Sequence, residues 1–230
     1  MRKLIPALLV GFLLLIIGCN KTEVEIPEYA KYDWYAHYII EGEEYTITKN
    51  GTDNTEPYLG SFESFSSELN PDSTIKEVLL IALTTYLQTT SEETDSVMSF
   101  GYDIFTQDKD LIAARGKPRE DRLNALVTYF TNRQYIYDGS NLNLEEYIDL
   151  GVADKFGNNY KNVTFYAGTY LGLLHYNIQV KSVEIVEHKT LGQVVKVLMH
   201  INATVNDKWY GQDRTLEAHV QTFFLPPFED

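Results

Sequence analysis

The chain has 230 residues, 33 of them acidic and 19 basic, giving a formal net charge of −14 at pH 7. Such a surface repels phosphate backbones, so nucleic acid is excluded as an expected partner. Hydrophobic residues at 44% and aromatics at 13% exclude a disordered chain, and the 17 Tyr and 11 Phe suit half-buried sheet. The first segment places Arg2 and Lys3 before an apolar run, Leu4 to Ile17, that is broken only by Pro6 and Gly11. A helix of that length reaches roughly 21 Å, short of a ~30 Å hydrocarbon core. The run ends in Ile16-Ile17-Gly18-Cys19, and Cys19 is the only cysteine, so it cannot form an internal disulfide.

A positive start, an apolar middle, and a small residue followed by cysteine resemble the type II signal peptide of bacterial lipoproteins. The resemblance implies cleavage before Cys19 and fatty acylation at that residue, with a diacylglyceryl group on the sulfur and a further acyl chain on the new amino terminus. More than one chain is what stable anchoring requires. Removing 18 of the 230 residues leaves 212, and losing Arg2 and Lys3 moves the net charge to about −16. Asn20 occupies the position where Asp would favour inner-membrane retention, which implies the outer membrane. Lys21, Glu23 and Glu25 loosely resemble the charged tag of surface-exposed Bacteroidetes lipoproteins, interrupted by Thr22 and Val24. Residues 19–31 are expected to be the lipidated cysteine and its tether, and 32–230 a single domain.

From Tyr32 the pattern alternates. Glu41-Gly42 as a two-residue turn pairs Tyr38 with Tyr45 and Ala36 with Ile47, placing all four on one face. Residues 49–74 are polar, with a short strand around Leu59 to Phe65. Ile75 to Gln88 fits helical spacing in part, but its β-branched residues favour a buried strand. That strand pairs across the 89–96 loop with Val97 to Phe105. A helix is expected near 118–131, opened by Pro118, Glu120 and Asp121 and striped by Leu123, Leu126, Val127 and Phe130.

From Gly151 the chain reads as sheet. Asp154 to Asn159 forms a turn, and Val163 to Tyr166 a short strand. Ile178 and Val180 lie in one phase and Val183 and Ile185 in the other, which a bulge near Ser182 reconciles. Ile185 then faces Val195 on the inward side, and Glu184 faces Lys196. Val195 to Ala203 and Leu216 to Phe224 give the last two strands, stopped by Pro226-Pro227. The expected fold is mostly β, an antiparallel β-sandwich with one helix. The early hairpin and C-terminal meander look like the small β-sandwich envelope lipoproteins of the Bacteroidetes.

No nucleophile elbow, zinc-protease helix or phosphate-binding loop is present. A register in which partner numbers sum to 419 places His200 opposite His219 and Asn202 opposite Glu217. Two imidazoles and the Glu217 carboxylate are a donor set for Zn²⁺. Asp53, Asn54 and Glu56, and separately Asp154, Asn158 and Asn159, cluster oxygen atoms of the kind that hold Ca²⁺, without EF-hand spacing. Trp209 and Tyr210 sit in a loop where aromatic faces stack on sugars or protein partners. The expected function is a lipid-anchored, non-enzymatic module that binds or displays a glycan or an envelope protein. The alternatives are a hydrolase with dispersed carboxylates and a structural subunit of a fimbrillin-like surface assembly.

Overall fold

The computed structural model describes residues 27–49, 58–69, 75–90, 94–138, 146–161, 163–166, 169–207 and 212–227. A 3-10 turn, Glu28–Lys31, leads into the hairpin of β1 (Trp34–Ile40) and β2 (Glu43–Lys49). Three longer strands follow: β3 (Tyr58–Leu69), β4 (Ile75–Thr90) and β5 (Val97–Thr106). Helices α1 (Lys109–Ala113) and α2 (Arg119–Phe130) precede β6 (Gln134–Tyr137) and β7 (Glu146–Ala153). The short strands β8 (Asn159–Lys161), β9 (Val163–Tyr166) and β10 (Thr169–Leu173) lead to the long β11 (Tyr176–His188), β12 (Gly192–Asp207) and β13 (Asp213–Phe224).

The hairpin forms in the expected register, Tyr38↔Tyr45 and Ala36↔Ile47. Glu41 and Gly42 both take positive φ, +50° and +86°, the geometry that matches a two-residue hairpin turn to strand twist. Glutamate is an unusual residue in that region. Here its carboxylate is paired with Arg214, and its backbone N–H donates to Thr215 O at 3.4 Å, so β13 holds the turn. The 75–88 segment is indeed a strand, running to Thr90 and pairing with β5 from Thr90↔Val97 onward. The bulge falls between Val180 and Ser182, beyond which Glu184↔Lys196 and Ile185↔Val195 pair as expected. The Lys196–Glu184 ion pair measures 3.3 Å and, at the surface, is worth ~0–1 kcal/mol. Ile185 departs from expectation. Val195 is fully buried, whereas Ile185 is 39% exposed, because among the described residues β6 pairs with Tyr176 to Gln179 and leaves the far half of β11 as an edge.

Among the described residues, eleven strands form one sheet in the order β2-β1-β13-β12-β8-β7-β5-β4-β3, with β11 on β12 and β6 on β11. All its pairings are antiparallel. The three-residue β8 is the corner: Lys161 pairs with Asn206 of β12 on one side and Gly151 of β7 on the other. The sandwich is thus one sheet folded over on itself. Its two inner faces meet at Tyr38 and Phe100, 5.4 Å apart, and at Thr222 and Thr85, whose hydroxyls are 3.3 Å apart. Tyr38 also donates across the layers to Ala153 O at 2.8 Å.

Helix α2 lies against β11 and β12 and buries Leu123, Leu126, Tyr129 and Phe130. Pro118 sits at the N-cap and contributes no side-chain hydrogen bond, while Glu120 and Asp121 occupy the first turn where the helix dipole favours them. Helix α1 is additional to the one expected helix. Asp108 starts it by accepting from the N–H groups of Asp110 and Leu111, each at 3.0 Å. No helix among the described residues is long and apolar enough to cross a membrane.

Candidate functional site

One row of paired residues crosses the outer face of the β2-β1-β13-β12-β11-β6 layer. In order it contains Thr46, His37, His219, His200, Gln179 and Gln134. The 419 register is therefore the observed one, with His200↔His219 and Asn202↔Glu217. Neighbouring strands lie about 4.8 Å apart, so side chains in such a row stack. The His200 and His219 rings are parallel within 5° at 4.5 Å, and His37 lies 6.5 Å beyond His219. Tyr29, from the 3-10 turn, caps the stack by lying 4.3 Å from His37. Gln221 anchors that end of the chain by donating from its amide to Tyr32 O and Asp33 O at 3.1 and 3.0 Å.

The polar ends of the row are tied down. His37 Nδ1 is 3.0 Å from Thr46 Oγ1, and its Nε2 is 3.7 Å from the Glu44 carboxylate. His200 Nε2 is 3.2 Å from Glu217 Oε1. Burial, and then the neighbouring His200, hold the His219 imidazole below its ordinary pKa, with His37 and Lys181 adding to that and Glu217 opposing it. The donor atoms of His200, His219 and Glu217 lie within 4.8 Å of one another. The expected cluster is thus assembled, and His37 joins it as a neighbour that sequence reasoning missed.

A groove of about 510 Å³ adjoins this row. Ile39, Glu217, Asn202, Asn177 and Ile136 line it in the next register row, with His175 at its end. Ile136 is 64% exposed, while Asn202, Glu217 and His175 are open to solvent.

The other sequence candidates divide. Cys19, Trp209 and Tyr210 lie outside the described residues, as do Asp53, Asn54 and Glu56. Asp154 is buried and its oxygens are already engaged. They accept from Phe156 N at 2.8 Å, Asn158 N at 3.0 Å, Asn158 Nδ2 at 2.9 Å and Tyr160 Oη at 3.1 Å. Asn159 donates its amide to Gly157 O at 3.1 Å. This turn is organised around one internally satisfied carboxylate.

A second depression, about 240 Å³, lies on the outer face of the β4-β5-β7 layer. Gly101 and Gly151 pair directly across its floor. A Cβ at Gly101 would stand 2.6 Å from the Tyr86 ring, so the close approach of that ring requires glycine. Asp103 faces Asp149 across the same strands, with Lys161 on the rim. Burial, opposed by Lys161 and reinforced by Asp103, raises the Asp149 pKa. The folded protein therefore binds this proton more tightly than the unfolded chain. Stability attached to it is present at low pH and is lost as pH rises from 3.8 through the folded value. Asp149→Asn is expected to stabilise the protein at pH 7, by about 0.2–1 kcal/mol as for opposed like charges, and to have no effect below about pH 4. Urea unfolding at both pH values checks this, and a loss of stability at pH 7 would contradict it.

Comparison with family models, curated proteins and solved structures finds no match to this chain.

Proposed function

We propose that the protein is a lipid-anchored binding module of the cell envelope, attached to the outer membrane through Cys19, with a glycan as its ligand. The observation that carries the ligand class is the groove beside the imidazole row. Asn177, Asn202, Glu217 and His175 present planar polar groups there, between the apolar side chains of Ile39 and Ile136. Planar amides and carboxylates exchange paired hydrogen bonds with vicinal hydroxyls, and apolar side chains cover the C–H face of a sugar ring. The lipobox Ile16-Ile17-Gly18-Cys19 supports the anchor, and the acidic surface favours a neutral ligand over an anionic one.

The test is thermal unfolding of the full chain in detergent against a panel of neutral polysaccharides. A ligand specific to the folded state stabilises it by ~2.7 kcal/mol at a hundred times its dissociation constant. The Asn177→Ala and Asn202→Ala variants should each weaken binding by about 0.5–1.5 kcal/mol, the net worth of a hydrogen bond. A flat panel would sink the glycan reading and leave an envelope protein as the ligand.

A second reading, a hydrolase, is favoured by one observation, the facing carboxylates Asp103 and Asp149. With its raised pKa, Asp149 would be the proton donor of such a pair, with Asp103 facing it across the strands.

A further inference from the structure

We propose that His200, His219 and Glu217 form a binding site for a borderline transition cation, with Zn²⁺ the best-matched. The inference is independent of the groove's ligand, although Glu217 belongs to both features.

Three observations carry it. The first is the donor set, two imidazoles and one carboxylate, which suits zinc and leaves a fourth position open to solvent. The second is the backbone. His200 lies on β12 and His219 and Glu217 on β13, and both strands are hydrogen-bonded on both sides. The Cα positions of all three ligands are therefore fixed by the sheet before any ion arrives, which is the preorganisation a metal site needs. The third is the placement of the side chains. His200 and Glu217, 21% and 52% exposed, lie on the outer face of the sheet, so their rearrangement does not reach the core on its inner face.

The closure required is small. Ligand atoms on a tetrahedral zinc stand about 3.3 Å apart, from bonds of roughly 2.0–2.1 Å. The His200–Glu217 pair is already at 3.2 Å, and all three donor atoms lie within 4.8 Å. A metal must lie in the plane of each imidazole that binds it. The parallel stack of His200 on His219 therefore opens on binding, one ring turning about its Cβ–Cγ bond.

Stacking is a weak reason for imidazoles here, since a cross-strand ring pair contributes only about 0.2–1 kcal/mol and adjacent basic rings repel when protonated. His37 supports the site without ligating. Its Nδ1 is held by Thr46 at 3.0 Å, and its ring backs His219.

The test is calorimetric titration of the full chain, untagged and in detergent, with ZnCl₂ and separately with CaCl₂, alongside metal analysis after dialysis. The expected result is one equivalent of Zn²⁺, no heat with Ca²⁺, and d–d absorption of a four-coordinate ion on substitution with Co²⁺. His200→Ala and His219→Ala should each weaken zinc binding by roughly a hundredfold or more, exceeding the 10–100-fold effect of supporting residues. Without metal, both variants should still unfold in one cooperative transition, because both residues lie on the outer face of the sheet and not in its core. Absence of zinc binding by the parent chain would overturn the proposal. So would binding that persists when both histidines are replaced.

Discussion

Cys19→Ser is expected to abolish incorporation of labelled palmitate and to leave the chain at its uncleaved length. The segment ending at Cys19 resembles a type II signal peptide, which implies that lipid and cleavage are both directed to this cysteine, so removing the thiol is expected to block both. The parent chain should carry label and lose residues 1–18. The readout is all-or-none: electrophoretic mobility reports the cleavage, and labelling reports the lipid. Membrane fractionation alone would be a poor choice, because the uncleaved run Leu4 to Ile17 is itself apolar enough to associate with a bilayer. Equal labelling of the two chains, or a mature amino terminus elsewhere than Cys19, would refute the anchor and with it the envelope location.

The largest loss of stability is expected at Phe130. Its ring is fully buried at the end of α2, stacked on Phe224 at 4.8 Å and edge-on to Tyr129 at 5.0 Å. Phe224 in turn meets Tyr102 of the opposite layer at 6.3 Å. Phe130→Ala removes the ring that joins the helix to Phe224, which in turn meets the opposite layer. The cost should be about 3–5 kcal/mol, combining the lost transfer energy with an unfilled cavity. Urea unfolding should show a lower midpoint with an unchanged slope. A change below about 1 kcal/mol would mean that α2 rests on the sheet without sealing it.

The antiparallel hairpins were legible because each carries its own register. The Glu41-Gly42 turn fixes β1 against β2, and inward alternation fixes β12 against β13, which brought His200 to His219. The phase change between Val180 and Val183 located the bulge. His37 was not legible as a member of the cluster. Its neighbour His219 lies on a strand near the other end of the chain, and nothing local to Tyr38 or Val220 says that β1 pairs with β13. The groove was hidden for the same reason, since its rows draw on β1, β6, β11, β12 and β13 together. Short elements also escaped. β6 and β8 have too few residues to show a period, and α1 is a single turn started by Asp108. The facing of Asp103 and Asp149 depends on the β5–β7 pairing, across two helices and a further strand.

The pairing of β1 with β13 has a kinetic consequence. Tyr35 meets Gln221 and Ile40 meets Leu216, so nearly the whole chain must be present before this seam can close. Topologies dominated by such distant pairings fold slowly, in milliseconds to seconds, because the entropy of closing the long loop is lost before the contacts form. During synthesis, the inner edge of the β1–β2 hairpin has no strand to pair with until the last strand emerges, although its Tyr38 already has Phe100 and Ala153 to pack against. Completion of the fold is therefore gated by the C-terminal strand. A chain shortened before Leu216 would lack the partner that β1 needs, however intact its first two hundred residues are.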